Sequence, residues 1–260
     1  MSEDSFDFFI IQKRVCMRNI KIILEYDGSS YYGMQKQPNK ITIQSEIERA
    51  IFEVTGENVD AIYSGRTDAG VSAYGQVISF KIESDIKIEK ICLALNAHLK
   101  NSIVVKSAQE VDLDFHPRYN AKGKKYMYVI NNSQYGSAIF RRTEYHVDKK
   151  LDVKEMKKAI KYFEGTHDFK AFRASGTSNK DSVRTINHTD IKLDGDRIYF
   201  TFEGNGFLYN MVRIIVGTLI DVGMAKIKSE DIPTIIESKD RKKAGRTAPA
   251  HGLYMVEVYY

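Results

Sequence analysis

The chain has 260 residues, 43% of them hydrophobic and 28% charged, which gives one large domain or two closely fused ones a real core and excludes a disordered chain. Its 39 Lys and Arg against 34 Asp and Glu leave a net charge of +5, a basic excess that favours a polyanionic partner, although a solvated surface gives the same number. Cys16 and Cys92 form no CxxC unit, which argues against a disulfide framework and for a reducing cytosol.

Residues 1–18 lack periodicity and read as a mobile extension, and the acidic opening Met1-Ser2-Glu3-Asp4 is wrong for a signal peptide. Ile20 to Tyr26 alternates as a strand and ends in the loop signal Asp27-Gly28-Ser29. Thr42 caps a helix whose apolar face is Ile43, Ile47, Ala50, Ile51 and Val54, with Gly56 closing it. A strand through Ala61-Ile62-Tyr63 leads into the turn around Asp68, and a second runs from Gln76 to Ile82. Ile88, Ile91, Cys92, Leu95 and Leu99 then recur at helical spacing.

In the second half, Lys124 to Asn131 is a strand rich in Tyr and Val. Asp152 and Glu155 form a capping-box start for a helix with Val153, Met156, Ile160 and Phe163 on one face. Asp194-Gly195-Asp196 between two apolar runs predicts a hairpin. A long helix is expected over about Tyr209 to Gly223; its Arg213 and Asp221 interrupt the longest apolar run and make it a buried helix, not a membrane span. Leu253 to Tyr259 is a last strand. Two halves of similar content, 19–117 and 118–260, predict an α+β fold with helices packed to one side, not a doubly wound parallel sheet.

Several residues carry possible chemistry. Asp68 stands between a strand-like segment and a glycine turn, where scaffolds display reactive groups, though Asp and Gly are also common turn punctuation. Arg213 lies among Met211, Val212, Ile214 and Ile215, where an unpaired charge is strongly disfavoured; it needs an acidic or phosphate partner, the plainer alternatives being an exposed stripe of the helix or a pair with Asp221 or Glu203. Tyr126 and Tyr128 share one strand face, so spacing alone does not choose between them. Arg118, Lys122, Lys124 and Lys125 form a basic run suited to a phosphate track, whereas Lys154, Lys157, Lys158 and Lys161 read as a solvated helix face. His167 and Asp168 could suggest acid–base work, but beside the core anchors Phe169 and Phe172 they read as a buried loop contact. The six histidines form no HExxH or short ligand pair, so no metal is expected.

Six segments in register give the chain its strongest resemblance. They are Tyr26 to Gln35, Gly65 to Val77, Phe115 to Tyr128, Glu164 to Phe172, Gly204 to Arg213 and Gly245 to Tyr254. From about Ile20 to Tyr260 the sequence resembles the TruA-type tRNA pseudouridine synthases. That resemblance implies a pseudouridine synthase fold of two α+β halves, with antiparallel or mixed sheets joined across a central cleft. It implies a cofactor-free isomerisation of uridine to pseudouridine, and it assigns the catalytic aspartate to Asp68. A carboxylate suits cleavage of the N1–C1′ bond because positive charge builds at C1′; attack on C1′ and removal of a ribose proton both remain open. By the same resemblance Arg213 pairs with Asp68, Tyr126 stacks on the target base with a further role in proton removal from C5 open to it, and Arg66 either helps to extrude the base or holds the vacated place in the RNA. The implied partner is the tRNA anticodon arm, at about positions 38 to 40 of the RNA, and the implied assembly is a cytoplasmic homodimer. Met34 stands where the family usually has tryptophan, and Ser72 where histidine often follows the Gly-Val pair. These departures leave the catalytic set intact and bear on the choice of RNA, so a paralogue acting on another RNA such as ribosomal RNA is the alternative, and a non-catalytic RNA-binding module the more distant one.

Overall fold

A computed structural model describes residues 16–176 and 181–260. Most of the expected extension, 1–15, lies outside the described residues; Arg18 belongs to the fold, because it opens the first strand and its guanidinium bonds the Ser84 and Ile86 carbonyls and pairs with Glu110.

The first half contains β1 (Arg18–Tyr26), α1 (Ile43–Thr55), β2 (Ile62–Tyr63), β3 (Ser72–Ile82), α2 (Ile88–His98) and β4 (Ile103–Val111). The second contains β5 (Gly123–Asn131), β6 (Tyr145–His146), α3 (Val153–Lys161), β7 (Gly165–Asp168), β8 (Val183–Asp194), β9 (Arg197–Gly204), α4 (Met211–Gly223), α5 (Ile232–Ser238) and β10 (Leu253–Tyr259). All ten strands join one mixed sheet in the order β4-β1-β3-β10-β5-β9-β8-β7, with β2 beside β3 and β6 beside β5. The final strand is the seam. It pairs parallel with β3 (Tyr254 with Ser72) and antiparallel with β5 (Met255 with Tyr126), so the last residues of the chain join the two halves.

Local chemistry accounts for most boundaries. Thr42 caps α1, exchanging bonds with Ser45, and Gly56 ends it in the left-handed region at φ 75°. Asp152 caps α3 through the Lys154 and Glu155 amides; the Glu155 carboxylate does not complete the box but takes Ser229 and Lys158 instead. The β8–β9 hairpin turns at Gly195 as predicted. Along β9 the residues Ile198, Phe200 and Phe202 are buried, while Arg197, Tyr199, Thr201 and Glu203 between them are part-exposed. Helices α1 and α2 pack on each other and α2 on β4; α3 packs on α4 and β8.

Four elements escaped the pattern reading, the two-residue strand β6 among them. β4 is an edge strand in which only Ile103 and Val105 are deeply buried, so its alternation fades. β7 lies at the other edge and holds His167 and Asp168, which bond the Glu164 carbonyl and Ser182 beside the fully buried Phe169 and Phe172. Helix α5 is short. None of the helices in the described residues is long and apolar enough to cross a membrane; α4 is the buried helix its sequence predicted.

Candidate active site

Where β3 and β5 flank β10, three segments converge. The first is the loop between β2 and β3. Its turn closes through the Val71 amide to the Asp68 carbonyl at 3.1 Å, and its flank is tied down on several sides. The Met34 amide donates to the Thr67 carbonyl at 3.1 Å, and the Tyr26 hydroxyl meets Thr67 Oγ1 at 2.8 Å inside the protein. Gly33, at φ 87°, allows this approach, since a Cβ there would sit 2.7 Å from the Thr67 carbonyl oxygen. On the other side Gln76, fully buried, accepts from Ser64 Oγ at 2.6 Å and donates to the Gly65 carbonyl at 2.9 Å.

The second segment is the start of α4. Asn210, the residue before its first turn, adopts the left-handed conformation at φ 59°. Arg213, one turn on, is anchored three ways. Its Nη1 donates to Asp68 Oδ2 and to Asn210 Oδ1, both at 2.7 Å, and its Nε donates to the Ala248 carbonyl at 2.7 Å. The Asp68 and Arg213 side chains are 29% and 16% exposed, so the ion pair is half withdrawn from water and open on one side. A charge-assisted bond of this kind fixes the direction of the carboxylate. Asp221 instead meets Lys226, and Glu203 meets Lys125.

The third segment is β5. Tyr126 is 8% exposed and packs edge-on against Phe207, with ring centroids 5.0 Å apart. Burial, then the nearby Tyr26 and Asp68, raises the Tyr126 phenol well above its usual range, so it stays protonated at neutral pH. Tyr128 shares its strand face but is fully buried, its hydroxyl held by the Pro249 carbonyl at 2.8 Å. That separates the two tyrosines: one is locked in the core, the other borders the open site.

A family model described as tRNA pseudouridine synthase matches residues 22–120 and 159–260 of this chain. The chain belongs to the tRNA pseudouridine synthase family. It is 57% identical to the tRNA pseudouridine synthase A of Acetivibrio thermocellus, over 94% of this chain and all of that protein. It is 51% identical to the protein of the same name from Caldicellulosiruptor saccharolyticus, and 50% identical to tRNA pseudouridine synthase A 2 of Clostridium perfringens, with the same coverage.

Within this family member the basic residues divide. Arg66, Arg118 and Lys122 are exposed, and the Arg118 guanidinium lies over the Tyr119 ring. Lys125 points to the face of β5 opposite Tyr126 and pairs with Glu203 at 2.9 Å; strand alternation alone separates it from the other lysines of the run. Lys124 turns inward, to the Ser64 carbonyl at 2.7 Å. Both departures from the family pattern are internal. Met34 is fully buried, and Ser72, 4% exposed, accepts from the Gly28 amide at 3.1 Å. They form part of the support beneath the Asp68 loop. Asn210, Thr67 and Gln76 are site residues that pattern reading did not single out; the one clue was an Asn, tolerant of positive φ, before an apolar helix.

Proposed function

We infer that this protein is an RNA-modifying isomerase that converts uridine to pseudouridine in tRNA. The observation that carries the reading is the 2.7 Å Asp68–Arg213 pair, which holds a carboxylate on a braced loop in a family member spanning the full length of its relatives. In the reaction the N1–C1′ bond breaks, the base turns, C5 bonds to C1′, and the C5 proton is lost while N1 gains one. Asp68 serves as the carboxylate at C1′, either as nucleophile or as base toward the ribose. Arg213 keeps it aimed.

Tyr126 offers an aromatic edge of the site on which the extruded base stacks, offsetting the stacking it gives up in RNA. Its raised phenol disfavours a preformed phenolate as the base for C5. Arg66, Arg118 and Lys122 are the exposed cations available for phosphates. The anticodon arm is the target this reading carries, and a cytoplasmic homodimer its working form; a sedimentation mass of one chain would count against the dimer. No cofactor enters the chemistry.

Purified protein given unmodified tRNA transcripts and no cofactor should form pseudouridine at anticodon-arm uridines. Asp68→Asn should lose at least about 10³-fold in kcat while binding tRNA within a few-fold of wild type. Equal turnover by that variant would reject Asp68 as the reacting group, and binding without isomerisation by the wild type would reject the enzyme.

A further inference from the structure

Lys124 is the most unusually placed cation near the site. It is the second residue of β5, on the same face as Tyr126, and its Nζ donates to the backbone carbonyl of Ser64, 60 positions earlier, at 2.7 Å. Among the described residues no carboxylate accompanies that bond: the ion pairs there use Lys125, Lys36, Lys158 and others, but not Lys124. Withdrawal from water, with a smaller contribution from the Arg118 charge, pushes the ammonium down to about 8. A cation partly withdrawn from water with a carbonyl as its described partner is costly, so the position needs a compensating role.

The carbonyl it reaches belongs to the hinge of the Asp68 loop. Ser64 is fully buried; its amide bonds the Val77 carbonyl at 2.9 Å, its hydroxyl bonds Gln76, and Gln76 in turn holds the Gly65 carbonyl. All of those braces come from the first half of the chain. Lys124 is the brace from the second half, and it fits against the hinge so closely that a side chain at Gly65 would meet Nζ at 2.9 Å. Tyr126, two residues along the same strand face, borders the site that Asp68 serves. One strand therefore carries both an aromatic wall of the site and the clamp on the loop opposite.

We propose that Lys124 is a positioning residue, not a phosphate contact: its ammonium grips the Ser64 carbonyl and fixes the Asp68 loop against the strand that carries Tyr126. The kinetic part of the test rests on the proposed tRNA activity; the exchange part does not.

Lys124→Met and Lys124→Arg in the full-length protein separate the alternatives. Hydrogen exchange followed by mass spectrometry should speed up by about fivefold or more over the 64–71 segment in Lys124→Met, with the interior of β5 unchanged, and return toward wild type in Lys124→Arg, which retains a donor. On tRNA transcripts Lys124→Met should lose about tenfold or more in kcat with Kd for tRNA within about twofold, and Lys124→Arg should recover part of it. Unchanged exchange at 64–71 in Lys124→Met overturns the clamp, whether or not the wild type acts on tRNA. So does a variant whose tRNA Kd weakens while kcat at saturation holds, because that split belongs to a phosphate contact. A wild type inactive on tRNA with faster exchange in Lys124→Met would leave the clamp standing and remove the tRNA reading.

Discussion

Arg213 has three acceptors at hydrogen-bond distance, and they do different work. The Ala248 carbonyl and the Asn210 side chain set the direction of the guanidinium, and Asp68 receives it. Asn210 reaches its position only by occupying the left-handed region, a conformation that costs an ordinary L-residue about 1–2 kcal/mol. Asn210→Gly keeps that backbone without strain and removes only the side-chain acceptor. The expected result is stability within about 1 kcal/mol of wild type and a roughly tenfold lower kcat, since the orienting bond to a charged group is lost. Asn210→Ala should show the same kinetic loss and a further drop in stability of about 1 kcal/mol from the strained backbone. Urea titration and single-turnover assays on the two variants read these separately; wild-type kcat in the glycine variant would deny Asn210 its orienting role. The need of Arg213 for an acid was legible from its apolar neighbours. Which acid was not: Asp68 is 145 positions away, and only the family resemblance named it.

At the scale of elements, α4 holds the site by letting backbone come unusually close. A Cβ at Gly217 would lie 1.7 Å from the Arg246 carbonyl oxygen, and Thr218 beside it accepts from the Gly245 amide at 2.9 Å. The segment so seated carries Ala248, which bonds Arg213 in both directions: its carbonyl takes the guanidinium and its amide donates to the Arg213 carbonyl at 3.0 Å. Helix propensity alone says that Gly217→Ala should stabilise α4 by about 1 kcal/mol. The contact says the opposite, because backbone must move and overpacking of this kind costs about 1–3 kcal/mol or more. The geometry decides for a net loss: Tm should fall by roughly 5 °C or more, and kcat should fall with it as Ala248 is displaced. A higher Tm would refute this packing. Helix α4 itself was readable from its apolar run, as were the Thr42 and Asp152 caps, because those depend on neighbours in sequence. The edge strands β4 and β7 were not, since an edge buries too little to impose alternation.

For the whole molecule, the decisive architectural fact is that β10 closes the sheet between β3 and β5, and no periodicity could have announced it. Alternation marks Leu253 to Tyr259 as a strand but not its partners, and its parallel match to β3 spans most of the chain. Closing the halves in this way buries a set of phenols near the seam: Tyr26 is pushed up to about 12, and burial raises Tyr126, Tyr128, Tyr254 and Tyr260 as well. The same burial lowers Lys124 to about 8. These shifts act on stability in opposite directions. A lysine depressed below its unfolded value leaves the unfolded state with more bound protons between about pH 8 and 10.5, so stability rises with pH there. A phenol raised above its unfolded value of 10.0 contributes stability that is complete below that pH and is lost as pH climbs through the folded value. The expected profile of unfolding free energy therefore climbs from pH 8, peaks near about pH 10 and then falls steeply, Tyr26 alone accounting for about 2–3 kcal/mol by pH 12. Urea unfolding across pH 8 to 12 measures it, with Lys124→Met as the comparison that should lose the climb and keep the fall. A flat profile above pH 10 would mean that the phenols are not closed off from water, and with that the continuous sheet joining the halves would lose its support.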